Sequence, residues 1–343
     1  MAVVRVALDL LGGDHAPDAV VDGALLAAYE QPAVQVVLVG PVKVVERVLA
    51  DRGATGRFEL VAASQVIGMD EDPARAVRAK RDATVRVASR LVRDGGADAV
   101  VSVGSTGASL AAGLFTLGRL PGMSRPALAA VVPARAGHLV LLDAGATTEA
   151  TPGLLAQFAL CGAAFAAIRL GIAAPRVGLL SIGAERGKGD LLRKEAYDAL
   201  NALPLDFVGN VEGGDVPQGG RADVIVCDGF TGNVLLKGLE GAASMLSTVL
   251  LEAMTSTQER RAAAEKLLPA VIEATADLTP ETLGGAVLLG VDGVVVIGHG
   301  DSSPRAVASC IRVAAQAVDE GLVPRTRAAL EALGAGTTVA SGV

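Results

Sequence analysis

The sequence predicts an α/β protein built on a doubly wound, mostly parallel sheet. Three observations carry that expectation. Short β-branched runs alternate with helix-length segments along most of the 343 residues, and a βαβα order favours helices on both faces of one sheet. Continuous apolar runs such as VVLV and VIVC suit strands covered on both sides. Most such runs end in a turn rich in glycine and polar residues, and in this class of sheet the chemistry gathers at the carboxyl ends of strands.

The elements follow in order. Val3–Leu8 reads as the first strand and ends in Asp9-Leu-Leu-Gly12-Gly13-Asp14-His15. Val34–Val39 and Phe58–Ala62 are the next strands. Asp72 is an N-cap followed by Pro73 at the first helical position, and Pro73–Asp94 reads as one long helix stopped by Gly95–Gly96. The strand Ala97–Ser102 breaks into Gly104-Ser105-Thr106-Gly107, which opens a helix. Ala127–Val132 and Leu139–Asp143 follow, the second running into Asp143-Ala-Gly145-Ala-Thr147. Arg176–Ile182 ends in GAERGKGD, with Glu185 and Lys188 at its mouth. The N–H groups of Gly183, Gly187 and Gly189 beside a lysine suit an anion. Phe207–Gly209 leads to Asn210-Val-Glu212-Gly213. Val224–Cys227 leads to Asp228-Gly229-Phe-Thr-Gly232-Asn233. Gly293–Ile297 leads to His299-Gly300-Asp301-Ser302. Any one of these is an ordinary turn. Seven on one end of one sheet predict a long polar cleft.

Gly232–Ala276 holds no strand candidate. Its helix carries Leu235, Leu236, Leu239, Met245, Leu246, Val249, Leu250 and Met254, followed by the charged patch QERR. This segment is read as core or dimer-interface helices, or as a helix pair whose tip touches a membrane surface. With no internal repeat and no linker, residues 1–333 are expected to form one α/β domain, with 235–276 as the tip and 334–343 as a disordered tail.

Composition narrows the function. Hydrophobic residues make up 51% and aromatics 2%, so the core is aliphatic. A net charge of −7 with few aromatics argues against nucleic acid as a partner. Cys161, Cys227 and Cys310 stand apart with no CxxC spacing, which suits buried thiols in a reducing compartment. The start VVRVALDL has no signal-peptide layout, and no apolar run reaches the roughly 18 residues of a membrane span. GxGxxG, GxSxG and HExxH are all absent, and GAERGKG is one residue short of a P-loop with no Ser or Thr after Lys188. No carboxylate cluster suits a metal. His15 and His299 lie past strands beside glycines, as backbone-bonded or as catalytic histidines. His138 precedes a strand, at the edge away from the turns.

These turns, in this order, resemble the PlsX family of phosphate acyltransferases. The matching stretches are ALDLLGGDHAP, AVRAKRDAT, SVGSTGA, RPALA, LLDAGA, QFA, VGLLSIGAERGKG, GNVEG, VCDGFTGNVLLK and GGAVLLGVDGVVVIGHGDSS, spanning about residues 3 to 320. The resemblance implies a large Rossmann-like three-layer fold, similar to isocitrate and isopropylmalate dehydrogenases and to phosphotransacetylases, without a cofactor. It implies that long-chain acyl-acyl-carrier-protein and inorganic phosphate give acyl phosphate and free carrier protein, feeding the first acylation of glycerol 3-phosphate in phospholipid synthesis. It implies a cytoplasmic homodimer attached peripherally to the membrane. The family usually carries Met at Leu11, Asn at Ser105, Thr147 and Ser181, and Glu at Ala184.

Phosphate is ionised near pH 7 and a thiolate is a tolerable leaving group. The protein's tasks are therefore positioning and oxyanion stabilisation. Lys188 is the expected cation for phosphate or the oxyanion, with Glu185 beside it. Gly104, Ser105, Thr106 and Gly107 are expected to hold phosphate at a helix start. Asn210, Asn233 and His299 are candidate donors to the acyl carbonyl. Asp9, Asp14 and Asp228 are expected to orient Lys188, His15 or backbone N–H groups. Gly12, Gly13, Lys80, Ser102, Asp143, Gly145, Gly189, Glu212 and Gly229 complete the expected substrate-binding set. Arg75, Arg78, Lys80 and Arg81 form a basic cluster. It is a solvated face or a docking patch for the acidic carrier protein, and its place in AVRAKRDAT lets part of it face the site instead. Two other readings remain: a phosphotransacetylase using acyl-CoA, and a non-catalytic scaffold for carrier protein or membrane. A dehydrogenase is the weakest, since no cluster for a metal-bound hydroxy acid is visible.

Overall fold

Neighbouring residues along the strands face two separate apolar cores. In the computed structural model, which describes residues 3–275 and 283–340, Val6 and Leu8 of β1 (Val4–Asp9) join one core and Ala7 joins the other. β2 (Val34–Gly40), β4 (Ala99–Ser102) and β11 (Val294–Ile297) divide in the same way. So do β6 (Gly137–Leu142) and β9 (Val224–Val226). Period-two alternation with both sets apolar is what a sheet covered on both faces requires.

The first face is covered by α1 (Asp18–Glu30), α2 (Val42–Asp51), α6 (Pro152–Arg169), α7 (Leu191–Asn201), α10 (Pro304–Asp319) and α11 (Leu322–Ala340). The second face is covered by α4 (Thr84–Arg93), α5 (Thr106–Leu117) and the start of α8 (Gly229–Thr255). α3 (Pro73–Ala79) packs on α5. The three-layer expectation therefore holds.

The remaining strands are β3 (Glu59–Ala62), β5 (Ala127–Ala134), β7 (Arg176–Ser181), β8 (Asp206–Glu212) and β10 (Ala286–Leu289). The sheet order is β3-β2-β1-β4-β11-β10-β5-β6-β9-β7-β8. β3, β2, β1, β4 and β11 run parallel to one another. β10 is antiparallel to both β11 and β5, and β5 is antiparallel to β6. β6, β9, β7 and β8 are again mutually parallel. Three reversals leave the second block pointing opposite to the first. The carboxyl ends of the two blocks consequently lie at opposite edges of the sheet, and the single row of seven turns expected from the sequence does not exist.

Other expectations also change. The long helix over 73–94 is two helices, because Lys80 to Ala83 turn back toward the chain before α3. The Lys80 ammonium donates to Glu71 Oε1 at 2.6 Å and to the Val66 carbonyl at 2.8 Å, and the Ser64 N–H reaches Asp82 at 2.7 Å. β10 had no counterpart among the expected strands. The helical segment begins at Gly229 rather than 235, and with α9 (Gln258–Thr275) it forms a hairpin; residue 276 lies outside the described residues. α6 and α8 are both long and apolar enough to cross a membrane, contrary to the sequence reading. α6 is a core helix, with 67% of its apolar window buried, whereas none of the α8 window is buried. α11 continues through Gly334 to Ala340, where a disordered tail was expected, and residues 341–343 lie outside the described residues.

Candidate active site

The first block presents three turns at one edge. They follow β1, β4 and β11 and feed α1 and α10 on one face and α5 on the other. Adjacent strands whose helices leave in opposite directions open a crevice between them. That crevice lies between β1 and β4. Gly12 and Gly104 close its floor: a Cβ on Gly12 would lie 2.8 Å from the Gly104 nitrogen and 2.8 Å from Asp9 Oδ2. Glycine at both positions is what lets the two turns touch.

Asp9 sits beneath this floor, 3% exposed. The Ser102 hydroxyl donates to its Oδ2 at 2.7 Å and accepts from the Gly104 N–H at 3.2 Å. Its Oδ1 is buried with no hydrogen-bond partner among the described residues. Burial pushes the Asp9 carboxyl above its ordinary range, against the opposing pull of Thr84, Ser102 and the Leu11 and Gly12 backbone. Ser105 caps α5 by accepting the Ala108 N–H at 3.4 Å, and Ser303 caps α10 by accepting the Ala306 N–H at 3.3 Å. Thr106 and Gly107 open α5. Gly13, Asp14, His15 and His299 rim the crevice: the Asp14 N–H donates to the Gly300 carbonyl at 2.7 Å, and His15 is exposed. His299 Nε2 lies 3.6 Å from Glu240 of α8. Two helix N-termini capped by neutral serines, those of α5 and α10, make this edge receptive to an anion. His138, read as lying away from the turns, opens β6 and so lies at this same edge of the sheet.

The second block gathers the other turns at the opposite edge. β9 is five strands from β4, roughly 24 Å at about 4.8 Å per strand. Here the carboxylates are occupied. Asp143 accepts the N–H groups of Leu128, Gly145, Ala146 and Thr147 at 2.7–3.0 Å, so it shapes its own turn; burial raises its carboxyl despite them. Asp228 caps α8 through the Thr231 N–H at 2.9 Å and forms an ion pair with Arg193. Burial would raise the Asp228 carboxyl, but Thr231 and the Arg193 charge outweigh it and hold the carboxyl below its usual range. Gly229 and Asn233 sit beside this turn, Asn233 next to Gly145.

Glu185 and Lys188 are exposed at the mouth of the β7 turn, and the Lys188 stem lies over Gly183. The Lys188 ammonium has no hydrogen bond or ion pair among the described residues. Asn210 donates to the Glu185 carbonyl at 2.9 Å, Ser181 to the Lys188 carbonyl at 3.2 Å, and Gly189 packs under Arg193. Glu212 forms a capping box with Asp215. The structure therefore brings Asp9, Gly12, Gly13, Asp14, His15, Ser102, Gly104–Gly107 and His299 together. It brings Asp143, Gly145, Glu185, Lys188, Gly189, Asn210, Glu212, Asp228, Gly229 and Asn233 together elsewhere. Lys80 lies on the first-edge side but is engaged by Glu71.

Sequence reasoning missed Thr84, buried beside Asp9, and Arg193, the cation that holds Asp228. Thr84 lies in the stretch RDAT and was open to discovery there. Arg193 follows Asp190 by three residues, a spacing that marks only a helix start. The departures at 105, 147 and 181 are hydroxyl side chains, each bonded to backbone: Ser105 as above, Thr147 to the Pro126 carbonyl at 3.1 Å, and Ser181 to Lys188.

The model of the fatty acid synthesis protein family matches residues 4–325. A phosphate acyltransferase from Heliobacterium modesticaldum is 48% identical over 322 residues, which cover 93% of this chain and 96% of that one. One from Desulfitobacterium hafniense is 44% identical over 320 residues, covering 93% and 96%. Among solved structures, a phosphotransacetylase from Streptococcus pyogenes aligns with a TM-score of 0.62 at 18% identity, covering 93% and 94%. The EutD phosphotransacetylase from Staphylococcus aureus aligns at 0.58 and 17% identity, covering 92% and 94%. Those two likenesses are likenesses of fold.

Proposed function

The chain belongs to the fatty acid synthesis protein family, the PlsX family its turns resemble, and from that membership we propose that it is a phosphate acyltransferase acting on long-chain acyl-acyl-carrier-protein. A phosphate oxygen attacks the thioester carbonyl carbon and the C–S bond breaks. The products are acyl phosphate and the carrier thiol, whose sulfur takes the proton that phosphate gives up. No strong base is needed, so the residues position and neutralise.

We place phosphate in the first-edge crevice, on the Gly104–Gly107 turn and the α5 N-terminus. The observation that carries this placement is the turn itself: Gly12 and Gly104 bring two strand ends into contact where the Ser105-capped N-terminus of α5 opens. Beneath it the Asp9 carboxyl holds the Ser102 hydroxyl, which accepts the Gly104 N–H and so fixes the turn. We assign His299 and His15 at the rim as donors to the acyl carbonyl.

We also propose that the chain works as a cytoplasmic homodimer with a peripheral membrane contact. Met245, Leu246, Val249, Leu250 and Leu251 of α8 and Leu267, Leu268, Val271 and Ile272 of α9 are all exposed, and an apolar surface of this extent needs a cover. A second copy along the hairpin, with lipid at its tip, supplies one. The wider likeness to isocitrate and isopropylmalate dehydrogenases rests on the family resemblance.

The deciding experiment incubates the protein with long-chain acyl-carrier protein, with and without phosphate, and measures free carrier thiol. Phosphate-dependent release is expected. Release from acyl-CoA but not from the carrier would replace this reading with a phosphotransacetylase, and no release from either would leave a scaffold.

A further inference from the structure

Between Arg75 and Arg93 the chain carries seven cations and one carboxylate, Asp82, although the whole protein has a formal net charge of −7. The fold gathers these cations on α3 and α4. Arg86 donates to the Val77 carbonyl at 2.6 Å and to the Arg78 carbonyl at 3.3 Å, which ties the end of α3 to α4. Burial and the nearby charges of Arg90, Arg81 and Arg93 lower the pKa of Arg86, which places those four guanidinium groups together. Among the described residues, only Lys80, with Glu71, and Arg93, with Asp94, make ion pairs here. Arg75, Arg78, Arg81, Arg86 and Arg90 make none. Like charges three and four residues apart destabilise a helix, and beyond those two pairs the charges of Asp82 and Asp94 offset only part of the cluster, at Arg90. A merely solvated face would intersperse both signs.

The patch borders the crevice. Pro73, the first residue of α3, lies 2.6 Å from where a Gly107 Cβ would stand, and Thr84 at the head of α4 is buried beside Asp9. An apolar element is interleaved with the charge. The Arg78 guanidinium stacks 4.6 Å from the centre of the Phe115 ring, and Phe115, Val66 and Met69 are exposed. Met69 also touches the Gly300 turn.

We propose that the α3–α4 face, with Arg81, Arg86 and Arg90 clustered and Arg78 stacked on Phe115, is the docking surface for the acidic face of the acyl carrier protein, set so that its thioester arm enters the crevice beside Gly104 and Gly107. This inference rests on the phosphate acyltransferase reading above. Charge complementarity between such a face and an acidic partner speeds encounter and fixes orientation. Nucleic acid would need aromatic stacking platforms that the composition does not supply. The apolar hairpin that suits lipid is a separate element, α8–α9.

The test compares the parent with Arg81→Glu/Arg90→Glu and with the uncharged Arg81→Gln/Arg90→Gln, which guards against misfolding from charge reversal. Two acyl donors are used, long-chain acyl-carrier protein and the corresponding acyl-pantetheine, which lacks the protein. The reversal should raise the apparent KM for the carrier donor at least tenfold and the Gln variant about threefold. KM for phosphate and turnover of acyl-pantetheine should stay within twofold. The parent's carrier KM should rise with salt and the reversed variant's should not. An unchanged carrier KM would overturn the docking surface, as would equal losses with both donors or a change in phosphate KM alone. Loss of binding to anionic vesicles with an intact carrier KM would reassign the patch to lipid. If the parent itself releases no carrier thiol, the activity reading fails instead. Fluorescence anisotropy of labelled carrier protein against the three proteins then judges the surface without turnover.

Discussion

The Ser102 hydroxyl donates to the Asp9 carboxyl at 2.7 Å, joining the ends of β4 and β1 under the crevice floor. The other Asp9 oxygen is buried and unbonded among the described residues, and burial raises this carboxyl's pKa. A carboxyl whose folded pKa lies above its unfolded value favours folding while protonated, and it withdraws that support as pH rises through the raised value. Asp9→Asn keeps an acceptor for Ser102 and removes the charge. Its melting temperature relative to the parent should therefore be higher at pH 8 than at pH 4. Thermal melts at the two pH values check this, and a difference that does not change with pH would show that Asp9 is not held near neutrality.

The separation of the two edges leads to a comparison of Gly12 with Lys188. Gly12→Ala would drive a methyl group against the Gly104 backbone and force the two turns apart. With phosphate bound there, turnover should fall at least about a hundredfold, the scale of losing an oxyanion donor, while the protein stays folded by circular dichroism. Lys188→Ala alters an exposed ammonium at the other edge and should leave more than a tenth of the turnover. A hundredfold loss in Lys188→Ala would contradict a site confined to the first edge of one chain. It would require the second edge of a partner subunit to complete the site.

Arg193 and Asp228 are both nearly buried, with side chains 12% and 8% exposed. Removing the cation leaves a carboxylate out of water with only Thr231 for company, a change that costs about 3–5 kcal/mol in comparable pairs. Arg193→Met should show that loss in urea unfolding at pH 7. The stabilisation from Asp228, whose pKa is lowered in the fold, is present above the ordinary carboxyl range and lost as pH falls through the lowered value. The gap between Arg193→Met and the parent should therefore narrow in acid. Arg193→Met/Asp228→Asn should recover most of the loss at pH 7. Equal stability of Arg193→Met and the parent at pH 7 would refute the pair's role.

What could be read from the sequence was local. Asp72 caps α3 with Pro73 next, as expected, because capping depends on neighbouring residues alone. The glycine turns fall at strand ends for the same reason. Where α3 stops was not legible, since Lys80 and Asp82 end it by reaching back to residues 64–71. Nor was the edge on which each turn lies. Strand direction reverses at β11–β10, β10–β5 and β5–β6, the first two cancelling, and nothing in Asp228 or Lys188 themselves records a reversal made more than 40 residues away. The Asp292–Gly293 pair between two apolar runs is a hairpin mark that would have exposed β10, and the connection from Ala127–Val132 to Leu139–Asp143, too short for a parallel crossover, marked the reversal itself. Cys161, Cys227 and Cys310 were read correctly as buried, because isolated cysteines among small apolar residues have one ordinary fate.

The α8–α9 hairpin gives the last prediction. Leu246 and Leu250 are one helical turn apart on α8, and both are exposed. Large aliphatic side chains about half exposed in one chain leave roughly 1 kcal/mol each unused, so a second copy covering them gains. The parent should sediment as a dimer at micromolar concentration. Leu246→Glu/Leu250→Glu should sediment as a monomer with an unchanged circular dichroism spectrum, since neither residue belongs to the cores. Should the double variant remain a dimer while losing its binding to lipid vesicles, the hairpin would be a membrane contact and the two copies would meet elsewhere. A monomeric parent would remove the dimer altogether.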